Sequence, residues 1–304
     1  MRAGTGSGRR AAAWAAVAGL LLLASACAAR AGGNTTTPTT PATVSDRLVL
    51  QVRYLGGFLP VGVSYATPPA VSVYADGRVI TQGPVPAIHP GPALPNLQLQ
   101  RISTDDVRTL VDRALAAGVR DGADLGQPPI MDAATTRFTV VDGDHTYVRD
   151  VYALMDAARG GGVGPGAVGP DDPGPQQQAA RQKLLGLYQA LTDLEGTLGK
   201  GSVSDAGSYP ATAVAAVVTP AKPSPEDPPQ IPRAWPGPAL PGEPFANQAG
   251  VTCLSATGAE ATTLLQAARQ ANALTPWTSP DGQQWWVAFR PLLPHESSCA
   301  DLAG

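Results

Sequence analysis

The chain has 304 residues, of which 43% are hydrophobic and 15% are charged, and its formal net charge is −3. That length allows about two compact domains, and the 34 glycines and 31 prolines indicate long loops or linkers beside them. The slightly acidic balance, without a dense basic cluster, argues against a nucleic-acid partner.

Residues 1–26 are predicted to be a signal peptide for export. Arginines at positions 2, 9 and 10 make a basic start, and an apolar run follows over 11–23. The segment Ala24-Ser25-Ala26-Cys27 then resembles the lipobox of bacterial lipoproteins, in which the cysteine is lipidated and becomes the mature N-terminus. Ordinary signal-peptidase cleavage and an uncleaved membrane anchor are the alternatives.

Residues 27–46 are predicted to be a flexible tether. The stretch is rich in threonine and proline and has no large apolar side chain with which to form a core. We therefore expect the protein to lie outside the cytoplasmic membrane, held to its outer face by a lipid on Cys27. An unknown envelope protein or glycan is the expected partner.

Residues 47–219 are predicted to form an α+β main domain, an antiparallel sheet with helices packed on one face. A strand is indicated over 48–55 by its apolar side chains. Two hairpins are indicated by Asp76-Gly77 and Asp142-Gly143, because an Asp-Gly pair between β-type segments tolerates the positive φ of a tight turn.

Helices and a last strand complete the predicted main domain. Ser103 and Asp106 have the spacing of a capping box at a helix start. Leucines at helical spacing predict a second helix over 184–198. The Gly/Pro-rich stretch 160–175 is predicted to be a mobile loop, and a Val-rich strand is predicted over 209–218.

Proline recurs throughout residues 220–246, which predicts an extended linker or a strap laid along the surface. Residues 247–304 are predicted to form a small α/β unit with little core of its own. If lipid occupies Cys27, then Cys253 and Cys299 remain as a pair in an oxidising compartment. Their disulfide would close a loop of about 45 residues and stabilise the fold by roughly 3–4 kcal/mol.

The whole layout resembles uncharacterised cell-envelope lipoproteins of high-GC Gram-positive bacteria. The similarity is carried by the lipobox, by Val73-Tyr74-Ala75-Asp76-Gly77-Arg78-Val79-Ile80, and by Phe289-Arg290-Pro291-Leu292-Leu293-Pro294 before Cys299. The use of arginine over lysine agrees with that origin. These motifs are structural, so the resemblance implies no activity.

The sequence predicts neither a metal site nor a cofactor. His295-Glu296-Ser297-Ser298-Cys299 begins like the zinc motif H-E-x-x-H but ends in cysteine. Pro294 and the predicted disulfide on Cys299 argue against metal binding, and we expect a solvated loop there.

No catalytic residue is assigned. The mature chain has neither the G-x-S-x-G elbow of serine hydrolases nor the S-x-x-K motif of penicillin-binding enzymes. His145 lies near Asp142 and Asp144, a pairing that could serve acid–base chemistry. Carboxylates of a hairpin turn beside a strand histidine are typical of a surface, so we expect no catalysis there.

Trp286 and Trp277 are the candidate partner-binding residues. On a strand over 284–289, Trp285, Val287 and Phe289 share one face and Trp286 lies on the other. Trp286 is then either partly exposed for binding or covered by the Pro-rich strap.

The leading hypothesis is a non-enzymatic binding module of the cell envelope. The alternative is an envelope hydrolase with dispersed carboxylate and histidine groups.

Overall fold

Two β-sheets organise the chain in a computed structural model that describes residues 46–60, 62–158 and 172–303. These residues belong to one compact unit. The signal peptide, Cys27, nearly all of the predicted tether and most of the loop predicted over 160–175 lie outside the described residues. The fold is of the predicted α+β class, with a large antiparallel sheet and a disulfide near the C-terminus.

The first sheet has seven strands, and all neighbouring strands in it run antiparallel. Its strands are β1 (Leu48–Gly56), β2 (Val71–Tyr74), β3 (Arg78–Gln82), β4 (Leu97–Arg101), β5 (Ala134–Asp142), β6 (His145–Tyr152) and β7 (Gly207–Ser208). They lie side by side in the order β6-β5-β1-β2-β3-β4-β7. Gly77 and Gly143 turn with φ of 86° and 57°. Both predicted hairpins are therefore confirmed.

Helices cover one face of this sheet. The described residues form the α-helices α1 (Val63–Ala66), α2 (Thr104–Ala116), α3 (Leu154–Ala158), α4 (Pro175–Thr192), α5 (Leu194–Leu198) and α6 (Gly258–Arg269). Apolar side chains of α2 to α5, among them Leu110, Leu154, Leu187 and Leu194, are buried against the sheet. Among the described residues, no helix combines the length and the apolar character that a bilayer crossing needs.

The start of α2 is capped as the sequence predicts. The Ser103 hydroxyl accepts a hydrogen bond from the Asp106 backbone N–H at 3.1 Å. The Asp106 carboxylate accepts one in return from the Ser103 backbone N–H at 3.3 Å. The capping box is confirmed, and it satisfies backbone donors that a helix start leaves without partners.

The second sheet has six strands. They are β8 (Ala213–Pro220), β9 (Arg233–Ala234), β10 (Glu243–Pro244), β11 (Thr252–Thr257), β12 (Trp277–Thr278) and β13 (Gln284–Pro291), in the order β10-β11-β8-β13-β12-β9. One face packs against α6 around Trp235, Trp277 and Phe289. The other face packs against α1 and a 3₁₀ helix at Cys299–Leu302.

The position of β8 differs from the domain boundary predicted at residue 219. β8 pairs with β11 and β13 inside the second sheet, and not with the strands of the main domain. A run of buried valines and alanines has the same pattern in either sheet, so the sequence alone does not select its neighbours. The Pro-rich segment 220–246 contributes β9 and β10 at the two edges of this second sheet.

Side-chain packing joins the two sheets. Helix α1, between β1 and β2, packs against β8 and β13. The connection between β3 and β4 contributes Ala93 and Leu94 to the core beside α6. Leu293, just after β13, is buried with Tyr74 and Ile80 on the face of the first sheet that the helices leave uncovered. The residues after β13 therefore lie between the two sheets.

Candidate functional site

A small cleft opens between the first sheet and the α4–α5 pair. Its volume is about 200 Å³, below the range of about 300–1,000 Å³ usual for ligand pockets. One ring of a small ligand would fit such a space. The cleft is lined by Tyr54, Ala70, Thr81, Gln82, Gln100, Tyr188, Leu191, Thr192 and Leu194.

Two tyrosines join the walls of the cleft. The Tyr54 hydroxyl, from β1, donates a hydrogen bond to the Tyr188 hydroxyl, from α4, at 2.7 Å. The two ring centroids are 6.3 Å apart at an interplanar angle of 48°. Helix α4 ends just beyond Tyr188, where Asp193 caps α5 by accepting a hydrogen bond from the Gly196 N–H at 3.0 Å. The break between the helices lies beside the cleft.

The lining of the cleft carries hydrogen-bonding groups but no charged side chain. Gln82 is held in place by donating to the Pro68 carbonyl at 2.6 Å. Gln100 donates to the Ser204 carbonyl at 3.4 Å. Amide oxygens, hydroxyl groups and aromatic rings bind uncharged polar ligands, and they offer neither a nucleophile activated by a base nor a general acid–base pair. The cleft is suited to binding.

A second feature is a polar cluster buried between the sheets, which we call the seam cluster (Gln51, Ser72, Tyr74, Arg290, His295 and Glu296). The Gln51 amide donates to the Ser72 hydroxyl at 3.2 Å and lies 3.4 Å from Nε2 of His295. An amide nitrogen can only donate, so Nε2 of the neutral ring accepts. Nδ1–H of His295 then donates to the Tyr74 hydroxyl, 2.8 Å away.

A buried ion pair completes the seam cluster. Arg290 donates from Nη2 to the Glu296 carboxylate at 2.6 Å, and only 2% and 6% of the two side chains are exposed. Glu296 also accepts from the Leu293 backbone N–H at 2.8 Å. Burial, and then the charge of Glu296, raise the pKa of Tyr209 to about 12. Its hydroxyl remains protonated and donates to the Leu292 carbonyl at 3.0 Å.

His295 makes the stability of the fold depend on pH. Burial lowers the pKa of His295 below its ordinary 6.5, and Arg290 and Arg53 act in the same direction while Glu296 and Asp301 oppose them. The unfolded chain then binds the proton more readily than the folded one. We expect stability to be full above about pH 6.5 and to fall as the pH drops below it.

Urea unfolding across pH 5 to 8 measures this effect of His295. His295→Gln should flatten the profile between about pH 6.5 and the lowered pKa, since the titrating group is gone. His145→Gln is the matched control for the loss of one histidine, because His145 lies on the exposed end of β6. An unchanged slope in the His295 variant would contradict the prediction.

The structure revises the expected loop at His295 and Glu296. Glu296 is buried and His295 is half-buried in the seam cluster, where Arg290 and Tyr74 are their partners. Cys299 forms a disulfide with Cys253, with Cα atoms 6.1 Å apart, which confirms the predicted pair. The described part of the chain contains no group of three or more His, Cys, Asp or Glu side chains placed to hold a metal.

The candidate tryptophans have different surroundings. Trp277 is 1% exposed and packs edge-on against Trp235 and Phe289, so its assignment as a partner-binding residue is wrong. The pattern missed this because β12 has two residues and shows no alternation. Trp286 is half-buried and lies opposite Thr219 on β8.

Neither of the two histidines outside the seam cluster, His89 and His145, lines the cleft. His89 lies 3.9 Å from Asp227 on the surface, and His145 stacks on Tyr147 with ring centroids 6.1 Å apart. The lining residues Tyr54 and Tyr188 were not singled out from the sequence. They are 134 residues apart, and no local pattern indicates that their hydroxyl groups meet.

The described residues thus form an α+β protein with a small uncharged cleft of about 200 Å³. No protein-family model matches the chain, and no curated protein is similar to it.

Proposed function

We propose that this is an exported lipoprotein, anchored by lipid on Cys27 to the outer face of the cytoplasmic membrane. The support is in the sequence, where a basic and apolar leader precedes the Ala24–Cys27 lipobox. A cysteine taken by lipid also leaves an even number of cysteines, which agrees with the Cys253–Cys299 disulfide.

The compact unit is proposed to act as a non-enzymatic binding module of the cell envelope. The observation that carries this proposal is the cleft between Tyr54 and Tyr188, with its uncharged hydroxyl, amide and aromatic lining. Its volume and chemistry favour a single uncharged hydroxylated ring, such as one sugar unit of an envelope glycan. Aromatic rings supply apolar contact area to such a ring, and the polar lining orients it.

Blocking the cleft should abolish binding without unfolding the protein. Thr192 is exposed at the cleft, and its hydroxyl only bonds back to carbonyls of its own helix. Thr192→Trp should therefore fill the opening and weaken binding of neutral sugars at least tenfold, as measured by chemical-shift titration with glucose and N-acetylglucosamine.

Thr109→Trp is the matched control for Thr192→Trp. Thr109 is likewise exposed on a helix and bonds back to a carbonyl four residues earlier, Asp105, but it does not line the cleft. The Thr109→Trp variant should therefore bind neutral sugars as the wild type does. Equal losses in both variants, or no shift at the cleft residues of the wild type with either sugar, would count against the proposed glycan module.

The lipid anchor has its own test. Cys27→Ser should move the protein from the membrane fraction to the soluble fraction and abolish its labelling by radioactive palmitate. Its thermal unfolding should stay that of the wild type, because Cys27 lies outside the compact unit. A variant that stays labelled would show that Cys27 is not the lipid site.

A further inference from the structure

An apolar tip projects from the connection between β1 and α1. We define it by three side chains, Phe58, Leu59 and Val63, which are 93%, 48% and 40% exposed. Met131, also exposed, precedes the strand that pairs with the end of β1. Single exposed apolar residues are common, but a cluster of them on one loop marks a contact surface.

Backbone contacts hold the tip outward. The Leu59 N–H donates to the Gly57 carbonyl at 3.0 Å, and the Val63 N–H donates to the Pro60 carbonyl at 3.1 Å. Gly62 lies against the second sheet, where a Cβ atom would be 3.3 Å from the Thr219 methyl group. The two hydrogen bonds fix the turn of the loop, helix α1 after it packs on β8, and Phe58 projects into solvent.

Trp286 lies behind the tip. It is opposite Thr219 in the pairing of β13 with β8, and Gly62 lies beside Thr219. Its ring is half-buried. Half-buried tryptophans are common at a membrane–water boundary, because the ring has a large apolar surface and a polar N–H group.

The segment around the tip has no charge. Residues 54–75 include no Asp, Glu, Lys, Arg or His. Specific protein interfaces surround an apolar centre with a polar rim and hydrogen bonds. A bilayer requires only that the apolar side chains be covered, and a projecting phenylalanine enters it without a matching pocket.

We propose that the apolar tip, with Trp286 behind it, inserts into the outer surface of the cytoplasmic membrane as a second contact beside the lipid on Cys27. The proposal rests on the proposed anchor, because tethering to the same surface strengthens an apolar contact that the unlipidated protein also makes. Strand β1 separates the tip from the predicted tether by about 30 Å. Residues 28–46 reach about 60 Å when extended, which lets the tip turn towards the bilayer.

Vesicle binding by the unlipidated protein tests the tip. The processed chain 27–304 with Cys27→Ser retains the whole compact unit and is sedimented with phosphatidylcholine vesicles, with or without phosphatidylglycerol. We expect binding to both, and Phe58→Asp should reduce the partition coefficient at least about tenfold. Ile231→Asp is the matched control, since Ile231 is 86% exposed in another segment and should leave binding unchanged.

Quenching by brominated phosphatidylcholine reports on Trp286. Part of the tryptophan fluorescence should be quenched in the bound protein, and Trp286→Phe should remove most of that part. Trp235 and Trp277 are buried and serve as an internal reference.

Three outcomes would each overturn the proposal. They are no vesicle binding, an equal loss of binding with Ile231→Asp, and a Phe58-dependent dimer without vesicle binding. The protein tested carries no lipid, so failure of palmitate labelling at Cys27 would reject the anchor and leave this result standing.

Discussion

Replacing Glu296 with alanine should lower the free energy of unfolding by about 3–5 kcal/mol. The substitution leaves the Arg290 guanidinium, of which 2% is exposed, buried without its carboxylate. Nε of Arg290 already has no hydrogen-bond partner, and Nη1 donates to the uncharged Pro291 carbonyl, so no second carboxylate replaces Glu296. The Leu293 N–H loses its acceptor as well. Urea unfolding at pH 7 measures the loss.

An exposed ion pair supplies the control for Glu296→Ala. Arg137 and Asp150 form a two-pronged bridge between β5 and β6 with 31% and 44% of the side chains exposed. Asp150→Ala should cost less than about 1 kcal/mol, because solvent screens the pair. The double variant Arg290→Met with Glu296→Leu should recover most of the stability, since it removes both buried charges. Equal losses from the buried and the exposed pair would contradict this account.

Features set by neighbouring residues could be predicted from the sequence. The hairpin turns at Gly77 and Gly143 need positive φ, and the capping box needs Ser103 three residues before Asp106. Each depends on contacts within a few residues, so the local pattern suffices. The disulfide could be predicted from the number of cysteines, because assigning one of the three to lipid leaves Cys253 and Cys299 as a pair.

Features that join distant residues could not be predicted. The pattern of β8 indicates a buried strand, but its pairing with β11 and β13 depends on the rest of the chain. His295 contacts Tyr74, which lies 221 residues earlier in the sequence. The sequence alone therefore predicts a solvated loop after β13, because it does not show that the first sheet packs against these residues. The cleft has the same origin, because β1 and α4 meet only through the packing of helices on the sheet.

Removing the Cys253–Cys299 disulfide should lower the free energy of unfolding by about 4 kcal/mol. The cysteines are 46 residues apart in sequence, and in the loop-entropy model a cross-link of that span restricts the unfolded chain by this amount. The bond also joins β11 to the 3₁₀ helix in a core shared with Val217 and Leu292. Urea unfolding of the Cys253→Ala, Cys299→Ala double variant measures the loss.

Hydrogen exchange identifies the residues whose amide protection falls when this disulfide is removed. If residues 247–304 were the separate unit that the sequence predicts, the loosening would be confined to them. Because β8 lies between β11 and β13, we now expect protection to fall in 213–220 as well. Helices α2 and α4 should keep their protection, since they are buried against the first sheet in a separate core. Protection lost evenly in both sheets would instead show that the compact unit unfolds as one cooperative body.

Reduction of the wild type separates the cross-link from the packing of the two sulfur atoms. Dithiothreitol removes the bond but leaves both side chains, so it should reproduce most of the loss seen in the double variant. The double variant itself should not respond to the reductant. If reduction left the wild type unchanged while the variant was destabilised, the contribution would come from packing of Cys253, which is 4% exposed, and not from restriction of the unfolded chain.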